Sequence, residues 1–110
     1  MSDPKPLGRL KRKTGVENLW LYVLAELSRN DSYPYEVAKA IEDDFGFNPG
    51  KVLPYVVLNK LENEGFVESY WSERRRYYRL TDKGKNLLAD GIAHLKELVT
   101  RLEKMTLLTR

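Results

Sequence analysis

The segment from Asn59 to Gly84 leaves a chain of this size few folds to adopt, because it reads as a helix end, a basic hairpin and a helix start in direct succession. Gly65 takes the left-handed conformation beyond a helix end without a Cβ penalty, so a helix is expected to stop there. Alternating residues from Phe66 to Trp71 signal a strand, Ser72 to Arg75 turn the chain, and Tyr77 to Leu80 return as a second strand. Thr81 before Asp82 then offers a side-chain oxygen to the open N–H groups of a new helix. The pattern predicts a mainly α fold with a small β-hairpin: a winged helix-turn-helix domain followed by a C-terminal helix. That architecture usually binds duplex DNA.

Length permits one domain, since 110 residues bury about two-thirds of their unfolded surface and enclose no large cavity. The net charge of +3 allows a nucleic-acid partner without requiring one, so the placement of charge carries the argument. Acids gather at Glu42, Asp43, Asp44, Glu62 and Glu64, whereas Lys5, Arg9, Lys11, Arg12 and Lys13 form one basic block and Arg74, Arg75, Arg76 and Arg79 another. The absence of cysteine excludes a disulfide framework, a thiolate zinc site and a thiol nucleophile. With no apolar run near the ~20 residues of a membrane span, and a polar, proline-bearing start unlike a signal peptide, a cytoplasmic protein without membrane contact is expected.

Three segments follow from the patterning. Residues 1–14 carry Pro4, Pro6, Gly8 and bases with little apolar periodicity, and read as a flexible basic arm. Such an arm is either a solvated tail or a set of phosphate or minor-groove contacts beside the main interface. Residues 15–81 hold the winged domain and residues 82–110 a dimerisation helix. A first helix from about Val16 to Arg29 buries Val16, Leu19, Trp20, Val23, Leu24 and Leu27. A second starts near Pro34, whose missing N–H fits a first helical turn, and buries Val37, Ala38, Ile41 and Phe45. The third has two competing starts: Asn48 as cap with Pro49 first, which strands Pro54 inside the helix at a cost of about 3 kcal/mol, or Val52 to Leu53, which puts Pro54 in the first turn. The second start is preferred.

In helix-turn-helix proteins the second helix of the motif points its N-terminal residues at base edges, which makes Lys51, Tyr55, Val56, Asn59 and Lys60 the expected DNA contacts. Arg74, Arg75 and Arg76 in a tight hairpin concentrate positive potential at a protruding tip and suit phosphates, because a guanidinium binds phosphate bidentately. A solvated turn that protects a sheet edge is the bland alternative. Tyr77 and Tyr78 point to opposite strand faces, so one joins the core while the other presents its hydroxyl; Tyr78 is also an expected DNA contact. A small-molecule effector, if any, would lodge among aromatics, with Trp20, Tyr22 and Trp71 as candidate walls beside Tyr78.

Leu88, Ile92, Leu95, Val99 and Leu102 recur at alternating spacings of four and three, a heptad seam with nowhere within one chain to be buried along its whole length. A homodimer is expected through these residues. Leu87, Leu98 and Met105 widen the stripe, so the helix should also pack on the first helix. His94 is the lone histidine and has no catalytic partners, and adjacent acids such as Glu42, Asp43 and Asp44 point in different directions along a helix. No enzyme, cofactor or metal site is expected.

Pro34-Tyr35-Glu36-Val37-Ala38-Lys39, the run from Tyr55 to Gly65, and Arg76-Tyr77-Tyr78-Arg79-Leu80-Thr81-Asp82-Lys83-Gly84 together resemble the PadR family of transcriptional regulators, in its smaller branch with a single short C-terminal helix. The resemblance implies a dimeric, ligand- or stress-responsive repressor of a palindromic operator. Pro34 stands where the family usually has glycine, and Leu53-Pro54 replaces a threonine and an aliphatic residue. Besides a sequence-specific regulator, a chromosome-structuring nonspecific DNA binder and a winged-helix protein-interaction module fit the same features.

Overall fold

The computed structural model describes residues 2–107, so Met1 of the expected arm and residues 108–110 of the expected dimerisation segment lie outside the described residues. Among the described residues five helices and one hairpin follow in order: α1 Lys5–Thr14, α2 Leu19–Leu27, α3 Pro34–Phe45, α4 Leu53–Asn63, β1 Val67–Ser72, β2 Arg75–Leu80 and α5 Asp82–Leu107. A single 3₁₀ turn, Val16–Asn18, links α1 to α2.

The core forms where α2, α3 and α4 converge on the base of the hairpin. Val23, Leu24, Val37, Ile41 and Leu58 are fully buried, with Leu61, Val67 and Tyr78 closing the cluster. Their spacing explains the helices. Val23 and Leu27, Val37 and Ile41, and Leu58 and Leu61 fall three or four apart, each pair on one face of its helix. Helix α3 begins with Pro34 in its first turn and ends at Gly46, which has a φ of 79°.

Helix α4 takes the second of the two expected starts. Pro54 lies in its first turn, and the Val52 carbonyl accepts the Tyr55 N–H at 3.1 Å, so no internal hydrogen bond is lost to the proline. Upstream, the Asn48 carboxamide oxygen accepts the Gly50 N–H at 2.8 Å and shapes the connector as a local turn instead of a helix cap. The helix stops at Gly65, at φ 82°.

The hairpin is antiparallel, with Tyr70 opposite Tyr77, Trp71 opposite Arg76 and Ser72 opposite Arg75. Glu73 and Arg74 alone make the turn, both at positive φ, 48° and 69°. This is the left-handed geometry of a two-residue hairpin loop that favours Asn-Gly. A third segment joins the ladder: Tyr78 and Ser32 exchange N–H···O bonds of 2.7 and 3.2 Å, which fixes the base of the wing to the α2–α3 connector.

Two expectations are corrected here. The segment expected to be a flexible arm is helical from Lys5 to Thr14. Pro6 sits in the first turn, where it costs no hydrogen bond, and Lys11, Arg12 and Lys13 complement the dipole in the last. Side chains from the following segment hold its end: Asn18 donates to the Lys13 carbonyl and Tyr22 to the Thr14 carbonyl. The first helix of the winged domain is also shorter than expected, a 3₁₀ turn followed by nine α-helical residues.

Helix α5 is 26 residues long, about 39 Å at 1.5 Å per residue, in a molecule whose longest dimension is 57 Å. Its first part packs on the domain. A Cβ at Gly91 would lie 3.0 Å from the Trp20 ring and 3.1 Å from a Leu21 methyl, so glycine sets a close crossing with α2. Beyond that crossing Leu98, Val99, Leu102 and Met105 are exposed.

Candidate nucleic-acid interface

Two elements project the residues that could read DNA, and their separation is fixed by an internal strut. From the wing, Arg76 donates to Glu62 of α4 at 2.8 Å and to the Ser69 hydroxyl at 3.0 Å, while Ser69 donates to the other Glu62 oxygen. The Arg76 guanidinium also lies 5.5 Å from the centre of the Tyr78 ring. Arg76 therefore fastens the wing to α4, one member of the arginine triplet pairing internally. Arg75 rests over the Tyr33 ring at 4.7 Å, and Arg74 at the tip has no ion pair among the described residues.

An open cleft of about 540 Å³ lies between α4, the start of α3 and the wing. Tyr55 and Asn59, one helical turn apart on α4, line one wall; Arg74, Arg75 and Trp71 line the other, and Tyr33 and Tyr35 contribute from the start of α3. Lys51 lies beside Tyr35 and Tyr55 in an adjoining groove. The wall beneath is stiff. Tyr33 meets Tyr77 edge-on at 5.4 Å, Tyr77 stacks on Tyr70 at 5.7 Å, and the Tyr70 hydroxyl donates to Asp31 at 2.7 Å. That bond to Asp31, with burial second, raises the Tyr70 hydroxyl above the usual phenol range, while burial and then a hydrogen bond to Glu36 do the same for Tyr33. Both stay protonated donors at neutral pH.

The expected contacts thus divide. Lys51, Tyr55, Asn59, Arg74, Arg75 and Arg76 gather around the cleft, Arg76 with its guanidinium held by Glu62. Val56 and Lys60, one position further round α4, line a different groove of about 830 Å³ with Trp20, Leu53, Val57 and Leu87. Tyr78 borders the same cleft but, against expectation, is only 2% exposed, its ring turned into the core beside its backbone pairing with Ser32, and burial raises its hydroxyl pKa. Tyr77, its neighbour, takes the outer face with Tyr70 and Tyr33.

The expected effector walls do not meet. Trp20 lines the groove beside Leu87, Tyr22 packs edge-on against Phe45 and Phe47 near the end of α1, and Trp71 stands in the wing cleft. Residues two apart on a helix, as Trp20 and Tyr22 are, face nearly opposite directions. The sequence reading also passed over Tyr33 and Tyr35, which bracket the proline that starts α3. Two aromatics flanking Pro34 beside a basic hairpin were the available signal.

On α5 the expected dimer residues fall into two sets. Leu88 and Leu95 are half-buried, whereas Ile92, Val99 and Leu102 are exposed, together with Leu98 and Met105.

Comparison with known proteins decides the family. The model of the transcriptional regulator PadR-like family matches residues 23–90, from the middle of α2 into α5. The chain belongs to the PadR-like family of transcriptional regulators. A transcriptional regulator from Clostridium thermocellum is similar, with 26% identity and a TM-score of 0.72 over 78% of this chain and 90% of its own. Bacillus subtilis PadR, solved in complex with operator DNA, is 25% identical with a TM-score of 0.60; the match covers 67% of this PadR-like chain and 45% of the Bacillus protein. An uncharacterized protein from Lysinibacillus sphaericus is 28% identical over 87 residues, 70% of this chain and 80% of its own. The mostly helical fold, its two-stranded wing and its long last helix are those of PadR-like winged-helix regulators. Members of this family regulate transcription and are not enzymes. Among the described residues no helix is long and apolar enough to cross a membrane.

Proposed function

We propose that this PadR-like regulator is a homodimeric, sequence-specific repressor, with the N-terminal half of α4 in the major groove and the wing on the flanking phosphates. The observation that carries the reading is the convergence of Tyr55 and Asn59 of α4 with Arg74 and Arg75 of the wing on one cleft, at a spacing fixed by the Arg76–Glu62 strut. Asn59 can pair with an adenine, Lys51 and the two arginines can pair with phosphates, and Tyr55 can donate its hydroxyl to either. The operator complex of the Bacillus relative supports DNA as the partner.

Arg74 adds a separate argument. It holds a left-handed backbone, φ 69°, at a position where glycine is favoured. A non-glycine residue there costs about 1–2 kcal/mol, and a phosphate contact gives that side chain a use.

Dimerisation rests on α5. Ile92, Leu98, Val99, Leu102 and Met105 leave an apolar stripe in water along the free part of the helix. A second copy related by a two-fold axis would cover this stripe with the same residues. On this reading residues 15–81 form the DNA-binding domain and residues 82–110 the dimerisation segment, and two α4 helices would address two half-sites.

Fluorescence anisotropy with the DNA upstream of the chain's own gene, against a shuffled duplex of equal length, tests the proposal. Preference for the native duplex by about 10³-fold supports a regulator. Equal affinity for both would replace it with a nonspecific DNA binder, and no binding to either with a protein-interaction module.

A further inference from the structure

The wing cleft displays more aromatic surface than a duplex can use. Tyr35 is 65% exposed, Tyr55 52% and Trp71 72%, and all three line the same cleft as Arg74 and Arg75. Among the described residues, no acidic one lines it. Rings held this far into water add nothing to the core, and the tyrosine stack beneath them already secures the wing to α3.

Duplex DNA presents phosphates, sugars and base edges to a protein, but its base faces are stacked on one another. Exposed ring faces beside arginines are the combination that holds single strands, where unpaired bases stack on aromatic side chains while cations follow the backbone. The cleft volume of about 540 Å³ lies within the ~300–1,000 Å³ of small-ligand sites, room for a nucleotide.

We infer that the cleft also binds single-stranded nucleic acid, with unpaired bases stacked on Trp71 and Tyr35 and their phosphates on Arg74 and Arg75. This inference rests on the cleft being the nucleic-acid interface. It adds a second form of ligand that shares the arginines with the duplex and therefore competes with it. A PadR-like regulator built this way would be displaced from its operator by strand opening, since the opened strand is itself a ligand.

The test uses the full chain and a fluorescein-labelled oligothymidylate of about 16 nucleotides. The expected result is saturable binding that unlabelled duplex displaces. Trp71→Ala and Tyr35→Ala should each weaken single-strand binding about tenfold or more, from the loss of one stacking platform, and weaken it more than they weaken duplex binding. Arg75→Ala should weaken both. Both aromatics are exposed, so the variants retain the fold. Absence of single-strand binding, failure to compete by a duplex that the protein itself binds, or equal losses for both ligands in Trp71→Ala overturns the inference. Single-strand binding without duplex binding would leave it standing and remove the duplex repressor reading instead.

Discussion

The Thr81 hydroxyl donates to the Gly65 carbonyl at 2.7 Å and accepts the Gly84 N–H at 3.1 Å, so one side chain closes the end of α4 and opens α5. Around it, the Thr81 N–H reaches the Phe66 carbonyl at 3.2 Å, and Lys83 donates to the Glu64 carbonyl at 2.5 Å with its ammonium 4.6 Å from the Phe66 ring. Gly84 fits under this corner because a Cβ there would come within 2.0 Å of the Phe66 carbonyl oxygen. The run Leu80-Thr81-Asp82-Lys83-Gly84 is thus a clamp on Glu64-Gly65-Phe66. It sets where α5 leaves the winged domain.

Thr81→Ala is expected to lower stability by about 1–2 kcal/mol, the loss of a helix cap, and Thr81→Ser to restore most of it. Gly84→Ala should cost about 1–3 kcal/mol, because the obstacle is backbone. Urea denaturation of the three variants checks both, and a Gly84→Ala protein as stable as the parent would show that the corner yields.

Glu26 should make stability fall as pH rises from about 4.5 to about 7. It is 7% exposed, one carboxylate oxygen has no hydrogen-bond partner among the described residues, and burial, aided by Asp44, pushes its pKa up to about 7 against the partial attraction of Arg29. A carboxyl with a raised folded-state pKa binds its proton more tightly when folded, so its contribution is complete below the unfolded value and lost as pH climbs through the folded one. The full effect is at most about 3 kcal/mol. Glu26→Gln should flatten the profile in that window, measured by thermal denaturation against pH; an unchanged slope places the titration elsewhere.

Much of this was legible because local chemistry decided it. Pro54 fits only a first helical turn, which set the start of α4; Gly65 set its end, and the Leu-Thr-Asp-Lys-Gly run announced α5. What escaped depended on distant partners. Helix α1 is closed by side chains of Asn18 and Tyr22, beyond its own residues, and its composition alone resembles a tail. Whether Tyr77 or Tyr78 enters the core is decided by the bridge to Ser32, 46 residues earlier in the chain, which alternation within the strand does not reveal. The arginine triplet looked uniform, yet Glu62 takes one member into the strut and Tyr33 seats another.

Val99→Asp or Leu102→Lys should dissociate the proposed dimer, since each places a charge in the middle of the exposed stripe of α5. Sedimentation equilibrium should return a monomer for the variants and a dimer for the parent. A parent that is monomeric at micromolar concentration would contradict this use of α5.

Arg74→Gly should act in opposite directions on stability and binding. Glycine relieves the left-handed strain at φ 69° and should raise stability by about 1 kcal/mol, while removing a phosphate contact should weaken DNA binding. Thermal denaturation and anisotropy on the same sample distinguish this from a destabilised variant, in which both would decline.

The most direct test of the wing cleft as the DNA interface is the slope of log K against log salt for the parent and for Arg74→Ala/Arg75→Ala. Each phosphate contact contributes about 0.9 to the slope, so the double variant should bind less tightly with a slope shallower by roughly 2. Unchanged affinity and slope would place the DNA on another face of the molecule.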